Sequence, residues 1–273
     1  MKPNIGSFFN QLKHFRYYLD IWFMMNRNSF LIYLNNKTIL GIFLLGKVLR
    51  FTFFIAFLYF LVIGASDIAG YSTNQVLFFF LTFNLVDILA QFLFREVYRF
   101  RTYVVSGDFD LILLKPLNPL FRVLFGGADI IDLITLPPIV FAIWFVGRQI
   151  AQGPLEILLY VALVLNGLLI SAAFHIVVLA AGIITYEIDH SVMIFRDLTK
   201  LATLPIDIYK EPLRSILTYF IPLGIMISVP VKALIGIVNP LSVTLSFLIG
   251  ILAIIFALRF WNFALTKYTS ASS

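Results

Sequence analysis

Six apolar stretches decide what this chain can fold into. The first runs from about Ile39 to Gly64. Others follow at about Asn74 to Phe94, Val123 to Val146, Leu155 to Thr185, Ile216 to Ile235 and Leu241 to Trp261. Several exceed the roughly 20 residues that a helix needs to cross a bilayer. In hydrocarbon every backbone N–H and C=O must be satisfied within the segment, so these stretches are expected to be helices. Of the 273 residues, 61% are hydrophobic and 12% charged. A soluble domain carries roughly twice that charged share. The expected fold is an all-α membrane protein: six transmembrane helices, an N-terminal amphipathic elbow helix and a cytoplasmic helical loop. The net charge of +6 does not argue for nucleic acid, because the basic residues lie in loops between the apolar stretches. Without cysteine there is no disulfide, thiolate nucleophile or cysteine-ligated metal. Residues 1–36 lack the short apolar core of a cleavable signal peptide.

Residues 1–36 read instead as an interfacial segment, residues 37–265 as the transmembrane domain and residues 266–273 as a tail. Phe8, Leu12, Phe15, Leu19 and Trp22 recur at spacings of four and three, with Asn10, Lys13, Tyr17 and Asp20 on another face. Such a helix lies in the headgroup plane with Lys13 and Arg16 near lipid phosphates, or packs its stripe on a partner helix. Asn26-Arg27-Asn28-Ser29 is expected to break it.

The polar residues inside the apolar stretches are the candidates for function. Lys47 and Arg50 would cost roughly 2.5–3.5 kcal/mol each at mid-bilayer, so they snorkel to the interface or face protein. Gly41 to Val48 nearly spells a nucleotide-binding loop. Val48, however, replaces the hydroxyl that would hold magnesium, and no strand and turn precede it. No ATP binding is expected in this chain. Asn84, Asp87 and Gln91 share one face of the second stretch, either as a structural hydrogen-bonded cluster or as part of a translocation path. Asp129 and Asp132, one turn apart, are expected to pair with a neighbouring span rather than work as an acid–base couple. Pro137-Pro138 should kink or break the third stretch. Ser171 and His175 stand at i and i+4 in the fourth, where the histidine is a packing residue or a proton carrier. His190 beside Glu187 and Asp189 is too small a set for a metal site, and no metal is expected.

Residues 95–122, REVYRFRTYVVSGDFDLILLKPLNPLFR, are the long charged interruption between the second and third stretches. Arg95, Arg99, Thr102 and Ser106 fall on one helical face, with Val97, Phe100, Tyr103 and Val104 opposite. Gly107 can leave the helix with positive φ, Asp108 can cap the next run, and Pro116 and Pro119 should stop it. A compact helix–turn–helix at the membrane face is expected, or else a solvated connector. With a cytoplasmic N-terminus, sixteen basic residues fall inside and only Arg148 and Lys232 outside. That is a strong positive-inside asymmetry, and it leaves both termini and the Asn36-Lys37-Thr38 sequon cytoplasmic. Pro205, Pro212, Pro222 and Pro230 leave a second arrangement open. Val192 to Leu204 would then be a polar fifth span, 205–215 would face outside, and 216–235 would dip back as a re-entrant hairpin.

The stretch SGDFDLILLKPLNPLF, residues 106–121, resembles the loop of the ABC transmembrane type-2 permeases, especially the subfamily with an S-G-[ED]-[LF]-D-x-x-L-L-K-P pattern. LPIDIYKEPLRSILTYFIPLGIMISVP, residues 204–230, is similar to that subfamily's proline-rich region, with Leu204 where an aromatic is usual. The resemblance implies the permease subunit of an exporter in a prokaryotic plasma membrane, driven by a separate ATPase that holds the ATP and magnesium. It also implies two permease subunits, identical or homologous, over two ATPases, and the hairpin arrangement of 205–235. ATPase coupling would fall to the loop around Arg99, Arg101, Gly107, Asp108, Asp110, Lys115 and Pro116. Asn84, Asp87, Gln91, Asp129, Asp132 and His175 would be candidates for the translocation path. The competing function is a stand-alone ion-coupled carrier using Asp87, Asp129, Asp132 and His175 as a relay, although no inverted repeat supports it. A membrane-embedded enzyme lacks a nucleophile–base or histidine-rich constellation.

Overall fold

Helix starts in this protein follow from local chemistry. Asn118, Asp129 and Asn239 each accept a hydrogen bond from a backbone N–H of the turn that follows. Pro119 and Pro240 then occupy first helical positions, where no N–H is needed. Ser72 donates its own N–H to the Gln75 side chain at the start of another helix.

The computed structural model describes residues 5–35, 37–64, 68–185 and 189–269. These hold α1 (Ile5–Leu34), α2 (Lys37–Gly64), α3 (Thr73–Phe94), α4 (Phe100–Ser106), α5 (Asp108–Leu113), α6 (Pro119–Phe125), α7 (Ile130–Ile150) and α8 (Pro154–Thr185). They continue with α9 (Asp189–Thr199), α10 (Leu213–Ser215), α11 (Val229–Leu234) and α12 (Pro240–Lys267). Among the described residues, five segments are long and apolar enough to cross a membrane: Leu40–Phe57, Thr73–Ser106, Ile130–Ile150, Pro154–Thr185 and Pro240–Lys267. A further candidate is a helix pair, Leu213–Phe220 and Gly224–Leu234, bent by 74°. Helix α8 lies at the centre, packed on α12, α3 and α11. Two large apolar cores and a small one around Leu163, Val229 and Ala233 lie along the bundle among the described residues. One large core gathers Phe78, Phe79, Leu217 and Ile225. The other large core gathers Phe100, Phe109, Leu179 and Trp261 beneath the charged loop.

Three local expectations change. Helix α1 runs unbroken through Asn26 and Ser29, which are buried instead of capping a new turn. Asn26 Oδ1 accepts the Ala128 N–H at 2.8 Å, so a distant backbone group satisfies the side chain that was expected to end the helix. Helix α7 is not broken at Pro137-Pro138, since it continues to Ile150 with both rings exposed. The interruption comes earlier, between α6 and α7 at residues 126–129. In the loop, Gly107 itself is the N-cap of α5 and Asp108 is the first helical residue without a side-chain cap bond. Pro119 begins α6 instead of stopping α5.

The loop 95–122 defines one end of the bundle. At the opposite end Tyr71 bonds Asp207, Asn74 bonds Gln149, and the Gln152 N–H bonds the Leu234 carbonyl. Arg214, at the start of the bent pair, and Lys232, near its finish, both bind Asp207. The bent pair therefore enters and leaves at that opposite end, with Phe220 at its tip 86% exposed. Residues 189–204 lead from the end of α8 to Asp207. Along the way Phe195 stacks on Phe174 of α8 with ring centres 3.6 Å apart.

Candidate functional site

The two faces expected of the charged loop form only in part, because Tyr103 of the apolar set and Arg99 of the polar set meet on Glu96. Val97, Phe100 and Val104 are buried, while Thr102 and Ser106 are exposed. Gly107 turns the chain at φ 79, in the left-handed region that a side chain would strain. Ser106 Oγ donates to the Asp108 carboxylate at 2.7 Å, and the Tyr268 hydroxyl donates to Asp110 at 2.9 Å. Arg101, Lys115 and Pro116 are exposed.

What holds the loop is a residue the sequence did not single out. Glu96, 2% exposed, accepts from the Tyr103 hydroxyl at 2.6 Å, from Arg122 at 2.7 Å and from Arg99 at 3.2 Å. Burial works against the charge of Arg122, but Glu96 more than offsets it and holds the guanidinium above its ordinary pKa. Gly126 and Gly127 let the backbone pass close to this cluster. A Cβ on Gly127 would lie 3.0 Å from Glu96 Oε2 and 3.1 Å from Arg99 Nη1. Alongside, Arg95 reaches Asp129 at 3.6 Å. Tyr18 of α1 accepts the Asn118 N–H and packs edge-on to Phe121. The start of the loop, its end and the N-terminal helix are thereby tied together. The spacing of Glu96, Arg99 and Tyr103 on one helical face was the only local signal. Arg122 and Asn26 had none.

The candidate path residues divide. Asp87, Gln91 and His175 line one cavity between α3, α8 and α9, together with Ser171, Arg196 and Thr199. Gln91 donates to Asp87 at 2.8 Å, and His175 Nδ1 meets the Ser171 carbonyl at 2.7 Å. Asn84 turns away and donates to its own helix at the Phe80 carbonyl. Asp132 pairs with Lys47 of α2 and Asp129 with Arg95, so the expected salt bridges to neighbouring segments form. Asp129 and Asp132 therefore do not join Asp87 and His175 in one relay. Glu187 lies outside the described residues, as do the side chains of Asp189 and His190.

At the opposite end, Asp207 accepts from Tyr71 at 2.9 Å and from Lys232 at 2.8 Å, and pairs with Arg214. Burial raises the Asp207 carboxyl, but Lys232, Tyr71 and Arg214 outweigh it and hold it below the ordinary value of 3.8. Burial, reinforced by Asp207, pushes the Tyr71 phenol well above its usual range.

Among the described residues, a helical bundle with several bilayer-length segments and charged side chains turned onto protein defines a multi-pass membrane protein. A family model described as "ABC-2 family transporter protein" matches residues 47–272. The chain belongs to this family, and is thus an ABC-type permease subunit, a class generally non-catalytic and associated with an ABC ATPase. No curated protein and no solved structure matches the chain.

Proposed function

We propose that this chain is the membrane-spanning subunit of an ATP-driven exporter in a prokaryotic plasma membrane, coupled through the loop 95–122 to a separate ATPase. Two ATPase copies carry the ATP and magnesium, and two permease subunits, identical or homologous, form the path. The observation that carries this reading is the loop's construction inside the family match. A glycine-hinged helical pair projects Arg101, Asp108, Lys115 and Pro116, while its root is fixed by Glu96 to α6 and the entry of α7. A surface pressed on such a unit moves the root of a spanning helix instead of bending a loose connector.

The return of the bent pair to Asp207 supports a hairpin dipping from the outer face, with 189–204 as the polar fifth crossing. Both termini are then cytoplasmic and α1 is an interfacial elbow. Lys210 and Arg214 then lie outside, while Arg196 and Lys200 lie within the fifth crossing. Twelve loop or terminal basic residues stay inside against four outside, which preserves the positive-inside asymmetry.

The test is mild-detergent purification of the tagged chain, which should bring down an ABC ATPase. In the reconstituted complex, Gly107→Val and Asp108→Ala should lower ATP hydrolysis several-fold while the complex still assembles. A chain that moves cargo with no ATPase present would overturn the reading. Unchanged hydrolysis in both variants would remove the loop as the coupling element.

A further inference from the structure

We infer that the chain binds an amphiphile with a zwitterionic head and a single apolar tail, in a two-part cavity between α3, α8, α9, the bent pair and α12. The two parts share Phe195, Leu223 and Met226. One part is polar. Among the described residues the Arg196 guanidinium has no ion-pair or hydrogen-bond partner. Among those residues Asp87 bonds only Gln91. Ser171, 1% exposed, has a hydroxyl without a partner. The other part is a cavity of about 350 Å³ walled by Phe174, Val177, Phe220, Pro222, Ala253 and Phe256. That is the small end of the ~300–1,000 Å³ typical of ligand pockets, and it suits one alkyl chain.

The charges choose the head. Asp87 and Arg196 stand on the wall of one cavity and attract each other, and Arg50 and Lys47 also act on Asp87 at longer range, but neither charge has an ion-pair partner at contact among the described residues. A purely anionic head would meet Arg196 favourably and Asp87 unfavourably. A purely cationic head does the reverse. Only a head carrying both signs satisfies both, with the Ser171 hydroxyl free to donate to its anionic part. The polar part holds only about 30 Å³ in this conformation, room for roughly one water molecule. Head entry therefore requires Phe195 to leave its stack on Phe174. The aromatic ring is the partition between the two parts, and it stands on the segment that joins α8 to the Asp207 end.

Calling this ligand cargo rests on the exporter reading above, whereas binding itself does not, so the test measures binding without nucleotide or ATPase. The full chain is reconstituted in nanodiscs of phosphatidylglycerol alone, with spin-labelled lysophosphatidylethanolamine as probe. Three competitors share a dodecyl tail: a sulfobetaine, dodecyl sulfate and dodecylammonium. The sulfobetaine should displace the probe at least tenfold more effectively than either singly charged competitor. Asp87→Asn should shift preference toward dodecyl sulfate, and Arg196→Gln toward dodecylammonium. That reciprocal exchange is one that a merely structural role for these residues would not produce. Ala253→Phe, which fills the apolar part without touching a charge, should abolish saturable binding and keeps the test valid if a charge variant fails to insert. Equal displacement by all three heads, or saturable binding unaffected by Ala253→Phe, overturns the inference. Binding that behaves as described in a chain that never associates with an ATPase would instead retain the site and refute the exporter reading.

Discussion

Two carboxylates hold the two ends of this molecule in the same way and with different consequences. Glu96 grips Arg99, Arg122 and the Tyr103 hydroxyl, while Asp207 grips Arg214, Lys232 and the Tyr71 hydroxyl. Each joins two cations and a phenol, those of Glu96 within 26 residues of it and that of Asp207 reaching back 136 residues to Tyr71. Glu96 is 2% exposed, sealed beneath Gly126 and Gly127. The Asp207 side chain is 13% exposed and stands beside a polar cavity of about 360 Å³ that Arg214 and Lys232 help to line. A cluster around a sealed carboxylate is costly to open, because Glu96 would remain charged in low dielectric although Arg99 and Arg122 are partly exposed. A cluster next to a polar cavity can trade its partners for water at lower cost. The loop end is thus built to move as one body, and the opposite end to come apart.

The comparison breaks first, if it breaks, at Glu96. Glu96→Ala removes the buried acceptor of the partly exposed Arg99 and Arg122 and of the Tyr103 phenol, and leaves a cavity in its place. It should destabilise the chain by about 3–5 kcal/mol, read as a lowered thermal midpoint in detergent. Asp207→Ala should fall well short of that. Equal losses would mean that burial does not separate the two clusters.

Acid sharpens the contrast. The Asp207 carboxyl is held below its ordinary value of 3.8, so its contribution to stability is complete above that pH. It is lost as pH falls from there through the lower folded-state value, because the unfolded chain takes up the proton first. Melting followed below pH 4 should show an acid-labile component that Asp207→Asn removes. Persistence of the whole component in the Asp207→Asn variant would assign it to other carboxylates.

The difference between the ends also explains what was legible in the sequence. Long apolar windows announced α2, α3, α7, α8 and α12, because bilayer length and hydropathy act locally along the chain. The two-faced loop helix and the turn at Gly107 were likewise written in neighbouring residues. Glu96 was not, since a lone acid in an arginine-rich run reads as solvated and its partner Arg122 lies far along the chain. Asn26 looked like a helix stop because its partner, the Ala128 N–H, belongs to a segment that only tertiary packing brings near. Residues 216–235 outrank 189–204 in hydropathy, so hydropathy alone favours the former as a span. The meeting of Arg214 and Lys232 on one carboxylate was not readable from the sequence, because only folding brings residues 214 and 232 together.

The finest distinction lies in the two phenols. Tyr103→Phe and Tyr71→Phe each remove one hydroxyl and leave ring and volume in place, so each isolates a single charge-assisted hydrogen bond. The Tyr103 hydroxyl is 2.6 Å from Glu96 and the Tyr71 hydroxyl 2.9 Å from Asp207. Hydrogen bonds to charged groups contribute roughly 1.5–3 kcal/mol, with the upper part of that range expected where no water can replace the lost donor. Tyr103→Phe should therefore cost more than Tyr71→Phe, by about 1 kcal/mol. Each phenylalanine variant combined with alanine at its own carboxylate should be nearly silent, because the acceptor is already gone. If Tyr71→Phe is the more damaging of the two, the end bearing Asp207 is the rigid one and the contrast drawn between the two clusters is reversed.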